Sequence, residues 1–206
     1  MNVKKLIMII AGLFVVIIIA GATTVFLWGV YVKHWDTPFV RSVAKVVPIP
    51  VARIGTVSIP LSQYFKDVDS LKIYLASDEA KVSGRDARSL SDDDRKQAIE
   101  REIEEVAVNE YATEKKVTLS DSEIDTAIDT QFVGASSTRQ ELEKELQKTY
   151  GWSMQDFRQH IARPILLERK LATLANSSDP QTGMSDVVTY LTARIQKPDV
   201  IRYIKF

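Results

Sequence analysis

The chain has 206 residues, 27 Lys+Arg against 27 Asp+Glu, and 45% hydrophobic residues. That length holds one domain of ordinary size plus an appendage, and a formal charge of zero without a long basic run excludes nucleic acid as the main partner. With no Cys and only His34 and His160, disulfides, thiolate metal sites and a Cys nucleophile are excluded, and most His-based catalysis has little material to work with.

The first element is apolar. Leu6 to Val32 contains no charge, and its core runs Ile7-Met8-Ile9-Ile10-Ala11-Gly12-Leu13-Phe14-Val15-Val16-Ile17-Ile18-Ile19-Ala20. As a helix it spans roughly 40 Å against about 30 Å of hydrocarbon, enough to cross a bilayer with tilt or with its ends in the interface. Ala20-Gly21-Ala22 offers a small-x-small cleavage site. The apolar run continues past it to Val32, which favours an uncleaved anchor over a signal peptide. Lys4 and Lys5 before the span favour a cytoplasmic N-terminus, against Lys33, Arg41 and Lys45 after it. Trp28, Tyr31 and Trp35 read as an aromatic belt at the outer interface. The expected location is therefore the cell membrane, single-pass, with residues 1–32 as tip and anchor and residues 33–206 extracytoplasmic. Residues 33–90 carry 9 positive and 6 negative charges and residues 91–206 carry 16 and 21, so the membrane-proximal part is the basic one.

Residues 33–50, with Pro38, Pro48 and Pro50, read as a stiff extended spacer. Val51 to Ile59 alternates around Gly55 and is expected to form two very short strands or one bent strand. Pro60 opens a helix whose apolar stripe is Leu61, Tyr64, Phe65, Val68, Leu71 and Leu75. Residues 78–90 read as a loop. Ser91-Asp92-Asp93-Asp94 starts the next helix, its acids suiting the helix dipole; the spacing lacks the Gly and distal Glu of a calcium loop. The stripe Ile99, Ile103, Val106, Ala107, Tyr111 carries this helix to about Glu114.

Ser120 and Glu123 form a capping box, with Leu119 and Ile124 placed to staple it. Thr138-Arg139-Gln140-Glu141 begins a helix that Gly151 ends, and Ser153 begins another that reaches Ala175 with a bend at Pro164. Asn176 to Gly183 is a breaker cluster; Ser185 to Gln196 can be helical. Val200 to Phe206 alternates like a strand, and its natural partner is Val51–Ile59, which would join the two ends of the domain. The expected fold is mainly α, with an N-terminal transmembrane helix and a minor two-strand β element.

Three segments together carry a likeness. Val51-Ala52-Arg53-Ile54-Gly55-Thr56-Val57-Ser58-Ile59 is similar to a family entry motif A-x-V-N-G-x-x-I, with Ile54 where Asn is usual. Ala112 to Asp125 is similar to an Ala, a short basic link and Val-Ser-x-x-Glu-Val. Leu142, Leu146, Tyr150-Gly151-Trp152-Ser153 and Phe157-Arg158 are similar to L-x-x-x-G-x-S-x-x-x-F-R. In this order they resemble the SurA-like N-terminal chaperone domain of the SurA/PpiD/PrsA type over residues 51–175. Such chains often carry a parvulin prolyl-isomerase unit. Residues 176–183 stand where it would be inserted, and residues 185–206 resemble the terminal helix and strand that return to the chaperone domain.

The resemblance implies a helical SurA-N-like domain over residues 51–206 that binds unfolded or nascent extracytoplasmic proteins, with residues 6–32 in the lipid bilayer. Candidates for the client-binding surface are Tyr64, Phe65, Phe132, Tyr150, Met154 and Phe157. No catalytic residue, cofactor or metal is expected, and the protein is not expected to be an enzyme. Two alternatives stand beside this reading: a scaffold or assembly subunit of an envelope or secretion complex, and a residual prolyl isomerase, for which the parvulin pocket is missing. An open apolar cleft between the Pro60 and Ser153 helices would favour chain binding; a closed bundle would favour a scaffold.

Overall fold

The computed structural model describes residues 3–82, 84, 90–133 and 138–206. The first two residues of the expected cytoplasmic tip, and residues 83 and 85–89 of the expected 78–90 loop, lie outside the described residues. The fold is mainly α. Helix α1 (Val3–Tyr31) is followed by α2 (Pro38–Val46), strands β1 (Pro50–Ile54) and β2 (Val57–Pro60), α3 (Leu61–Ala76) and the short α4 (Asp78–Val82). Then come α5 (Asp92–Glu114), α6 (Asp121–Ala127), α7 (Arg139–Tyr150), α8 (Met154–Phe157), α9 (Arg163–Ala175), α10 (Pro180–Ile195) and β3 (Val200–Arg202).

The three strands form one antiparallel sheet in the order β2-β1-β3. Ala52 pairs with Ile59 on one side and Arg202 on the other; Ile54 pairs with Val57 and Val200. The expected pairing of the two extended pieces is present, and the sheet has three strands rather than two because Gly55 turns the chain into a hairpin. Gly55 holds φ +55° at the first position of a two-residue loop, a conformation glycine adopts without cost.

Residues 33–50 are not an extended spacer. Thr37 caps α2 by accepting a hydrogen bond from Val40 N, and Pro38 occupies the first turn, where its missing N–H costs nothing. Val40 and Ala44 then bury one face against the core. Asp78–Val82 is helical rather than loop.

Helix starts follow their caps. Ser91, Ser120, Thr138 and Ser153 each accept from the N3 amide while the N3 acid returns the bond. Gly151 ends α7 in the left-handed region at φ +69°. The bend expected at Pro164 takes the form of a π-turn over Arg158–Ala162, in which Arg163 N donates to Arg158 O. The wider turn is one way to seat a ring that cannot donate. Helix α10 begins earlier than Ser185: Asp179 caps it and Pro180 sits in its first turn, leaving only residues 176–179 as the break.

Among the described residues, three apolar clusters result. The first joins α1, α2, the sheet, α3 and the N-terminal half of α5; it includes Val30, Val51, Ile54, Leu61, Val68 and Ile103. The second joins the C-terminal half of α5 to α9 and α10 through Val108, Leu167, Leu171 and Val187. The third is a smaller lobe of α6, α7 and α8 around Ile128, Leu146 and Phe157. Helix α5 thus spans the first two clusters. Helices α9 and α10 pack so closely that a Cβ on Gly183 would lie 2.0 Å from Ala172 O. Backbone cannot yield there as a side-chain tip would. Gly183→Ala is therefore expected to lower stability by about 1–3 kcal/mol in chemical denaturation; an unchanged midpoint would mean that the two helices are not in this contact.

Candidate functional site

The main cleft lies between α3 and α5 and is walled by the α7–α8 junction. It encloses about 520 Å³, and its lining includes Ser70, Leu71, Tyr74, Ala98, Tyr150 and Trp152. A smaller recess of about 250 Å³ lies between α3 and α8, sharing Asp67, Ser70, Tyr150 and Trp152 with the first. The α3–α8 gap expected from the sequence is therefore the minor part; the larger opening faces α5.

Local geometry explains the wall. The left-handed turn at Gly151 ends α7 and reverses the chain, so Tyr150 and Trp152 flank one another with ring centroids 5.3 Å apart. Tyr150 stacks on Tyr74 of α3 at 5.5 Å and 9°. Trp152 Nε1 donates to Ser70 Oγ at 2.5 Å, and the Arg101 guanidinium of α5 lies 5.7 Å from its ring centroid. The result is a ladder of three rings and a cation, each ring only half-buried.

Behind Trp152 is a polar cluster. Asp67 and Glu102 are 4% and 7% exposed, and each has a side-chain oxygen without a hydrogen-bond donor. Arg101 reaches Asp67 at 2.6 Å. Burial, and then the neighbouring Asp67 carboxyl, push the Glu102 carboxyl up to about 9, so at neutral pH it keeps its proton. His160 Nδ1 lies 3.1 Å from Glu105 Oε2, its Nε2 lies 3.3 Å from Gln63, and the Glu105 bond raises its pKa. Glu102, Glu105 and His160 could each offer a ligand atom within 4.8 Å of one another. In the structure His160 is bonded to Glu105 and Gln63, and Arg101 is paired with Asp67 and lies 3.8 Å from Glu102, so the group supports the floor of the cleft.

Of the six surface candidates, Tyr150 alone lines the cleft. Tyr64 and Phe65 are core residues of the first cluster, with Arg41 over the Phe65 ring at 4.6 Å. Phe157 is buried in the third cluster, edge-to-face with Phe132 at 5.2 Å, and Met154 packs beside them. Those three buried rings are corrections: they lie on the stripes that hold the helices together and offer no free surface. The candidates read from the sequence did not include Tyr74, Ser70, Arg101 or Trp152. The available signal was Tyr150-Gly151-Trp152, in which a helix-ending glycine is flanked by two aromatics.

Near the N-terminus, Gly12–Tyr31 is long and apolar enough to cross a membrane. Its last turns are held by the domain: Val30 is buried, Tyr31 Oη donates to Pro50 O at 3.0 Å, and the Tyr31 ring stacks on Tyr203 at 5.8 Å. His34 turns the chain at φ +52° and contacts Lys205 O at 2.8 Å.

In comparisons with known proteins, the family model for the SurA-like N-terminal domain matches residues 1–171. No curated protein and no solved structure matches the chain.

The Glu102 proton gives a signed pH dependence. The folded chain keeps a proton that the unfolded chain releases above about 4.5, so this contribution to stability is complete below that pH and is lost as pH climbs toward about 9. Glu102→Gln supplies a permanent donor to Asp67. It is expected to flatten the stability profile between pH 5 and 9 and to raise the unfolding midpoint at pH 8.5 by roughly 2–4 °C, the shift that about 1 kcal/mol produces in a domain this size. An undiminished slope in the variant would show that Glu102 is not the titrating group.

Proposed function

Because the chain belongs to the SurA-like N-terminal domain family, for which its match over residues 1–171 is the evidence, we propose that it is a membrane-tethered, extracytoplasmic chaperone-like protein. In this reading it holds extended or unfolded polypeptide segments in the cleft between α3 and α5. It acts by binding, without a covalent step. The observation that carries the reading is the half-exposed Tyr74–Tyr150–Trp152 ladder in an open cleft of about 520 Å³. That volume is within the range of ligand sites, about 300–1,000 Å³.

The physics is that of an incomplete core. Three rings whose faces are only partly covered stand ready to bury a client's apolar side chains, at about 25 cal/mol per Å² removed from water. Their rotamers are set in advance, Trp152 by Ser70 and Tyr150 by Tyr74, so binding orders the client and little else. Among the described residues, the cleft lining carries Asp67, Asp94, Glu100 and Glu104 with Arg101, Glu100 being itself held by Arg202, and this acidic excess favours segments mixing apolar with basic residues. Helix α1 would keep the cleft beside a bilayer, where chains emerge, and so raise their local concentration.

The test uses the full chain in nanodiscs and follows aggregation of an unfolded substrate. Trp152→Ala is expected to weaken suppression about tenfold in half-effective concentration, the equivalent of roughly 1.4 kcal/mol; Trp152→Phe should retain most of the effect. Equal activity of the wild type and of Trp152→Ala would remove the cleft from the account. Cross-linking to one folded, stoichiometric partner, with no suppression of aggregation, would favour an assembly scaffold instead.

A further inference from the structure

Helix α2 has one apolar stripe that is wider than the core covers. Val40 and Ala44 are buried and Val43 packs partly against the core, while Phe39 and Val46 on the open edge of the stripe, and Val47 at the C-cap, are exposed. Phe39 is 68%, Val46 83% and Val47 48% exposed. A soluble surface rarely leaves a Phe and a Val so open on a nine-residue helix, with a further Val at its cap.

The position of this face identifies what covers it. The Phe39 ring meets the ring of Phe26 in α1 edge-to-face at 6.1 Å, so α2 lies alongside the last turns of α1. Helix α1 has 29 residues and measures roughly 43 Å, about the full thickness of a bilayer with its headgroups. Phe26 precedes Tyr31 by five residues, so it lies roughly 7 Å inward from the helix end. An interfacial helix buries its apolar face about 5–10 Å into the boundary between headgroups and acyl chains, which is the same depth. The flanks agree: Trp35 packs on Gly29, Lys33 lies 5.1 Å from the Trp28 ring centroid, and Lys45 is exposed in the last turn of α2.

We propose that α2 is an interfacial helix whose exposed edge, Phe39 and Val46 with Val47 at its C-cap, is embedded in the outer headgroup layer of the bilayer that α1 crosses. This rests on the membrane-anchored reading above. The short stretch after the anchor then serves as a foot on which the domain stands.

The chain lacks Cys, so single labels are clean. Val46→Cys, Phe14→Cys and Ser178→Cys would each carry an environment-sensitive fluorophore in full-length protein reconstituted into phosphatidylcholine vesicles. Phe14 lies mid-span in α1 and Ser178 in the exposed break between α9 and α10. The proposal expects labels at 14 and 46 to lose emission to a doxyl quencher on the lipid chains and to resist aqueous iodide, with the label at 178 doing the reverse. Quenching at 14 with iodide access at 46 would overturn the foot and keep the anchor. A label at 46 shielded from iodide but untouched by doxyl would overturn it in favour of a protein occupant, such as a second copy of the chain. Loss of doxyl quenching at 14 would remove the anchor and this inference with it.

Discussion

Strand β1 is the constraint on which the rest of the molecule depends. Val51, Ala52 and Ile54 are fully buried, and the strand is paired on both edges. A buried backbone must place every N–H and C=O, and β1 does so by using β2, ten residues away at most, and β3, some 150 residues later. That second pairing brings the two ends of the folded domain together beside the end of α1. Side-chain bonds reinforce the closure: Arg202 is held by Glu100, and Arg194 by Glu110 and Asp199. Residues 172–206 lie beyond the family match, yet they supply the third strand and the α10 half of the second cluster.

How much of this was legible depended on the range of the interaction. Local chemistry was readable: Ser120 with Glu123, Thr138 with Glu141 and the terminating Gly151 mark helix ends within four residues, and the structure uses them so. The β1–β3 pairing was also readable, because two isolated alternating pieces had only each other. Helix α2 was not. Pro38 and a Val-rich composition argue for extended chain, and only the burial of Val40 and Ala44 against the core outweighs that propensity. The cleft was least legible of all. Tyr74 and Trp152 are far apart in sequence, and the larger rings on the helical stripes drew attention to positions that packing had already used.

The cleft and the cluster behind it divide two tasks. The rings facing outward are apolar and half-covered, and the Asp67–Glu102 pair beneath them is polar and sealed. A buried acid pair is a costly support compared with Leu or Met. What it supplies is geometry: Asp67 fixes Arg101, which lies beside the Trp152 ring, while Ser70 holds the indole nitrogen. In the proposed role, a surface that receives varied chains needs rings that stay in place when nothing is bound.

The junction between α1 and the domain has a mechanical meaning. Tyr31 is bonded to Pro50 and stacked on Tyr203, and Trp35 fills the space over Gly29, so the end of α1 is tied to the domain at several points. A protein on a floppy leash sweeps a hemisphere and meets whatever drifts by. One tied to its stalk, as in the membrane-anchored reading proposed above, would keep a set altitude and tilt and sample its surroundings by gliding and rotating within the sheet of lipid. Such a molecule would act as a stationary gauge at a set height, engaging chains that pass that level and ignoring those farther out.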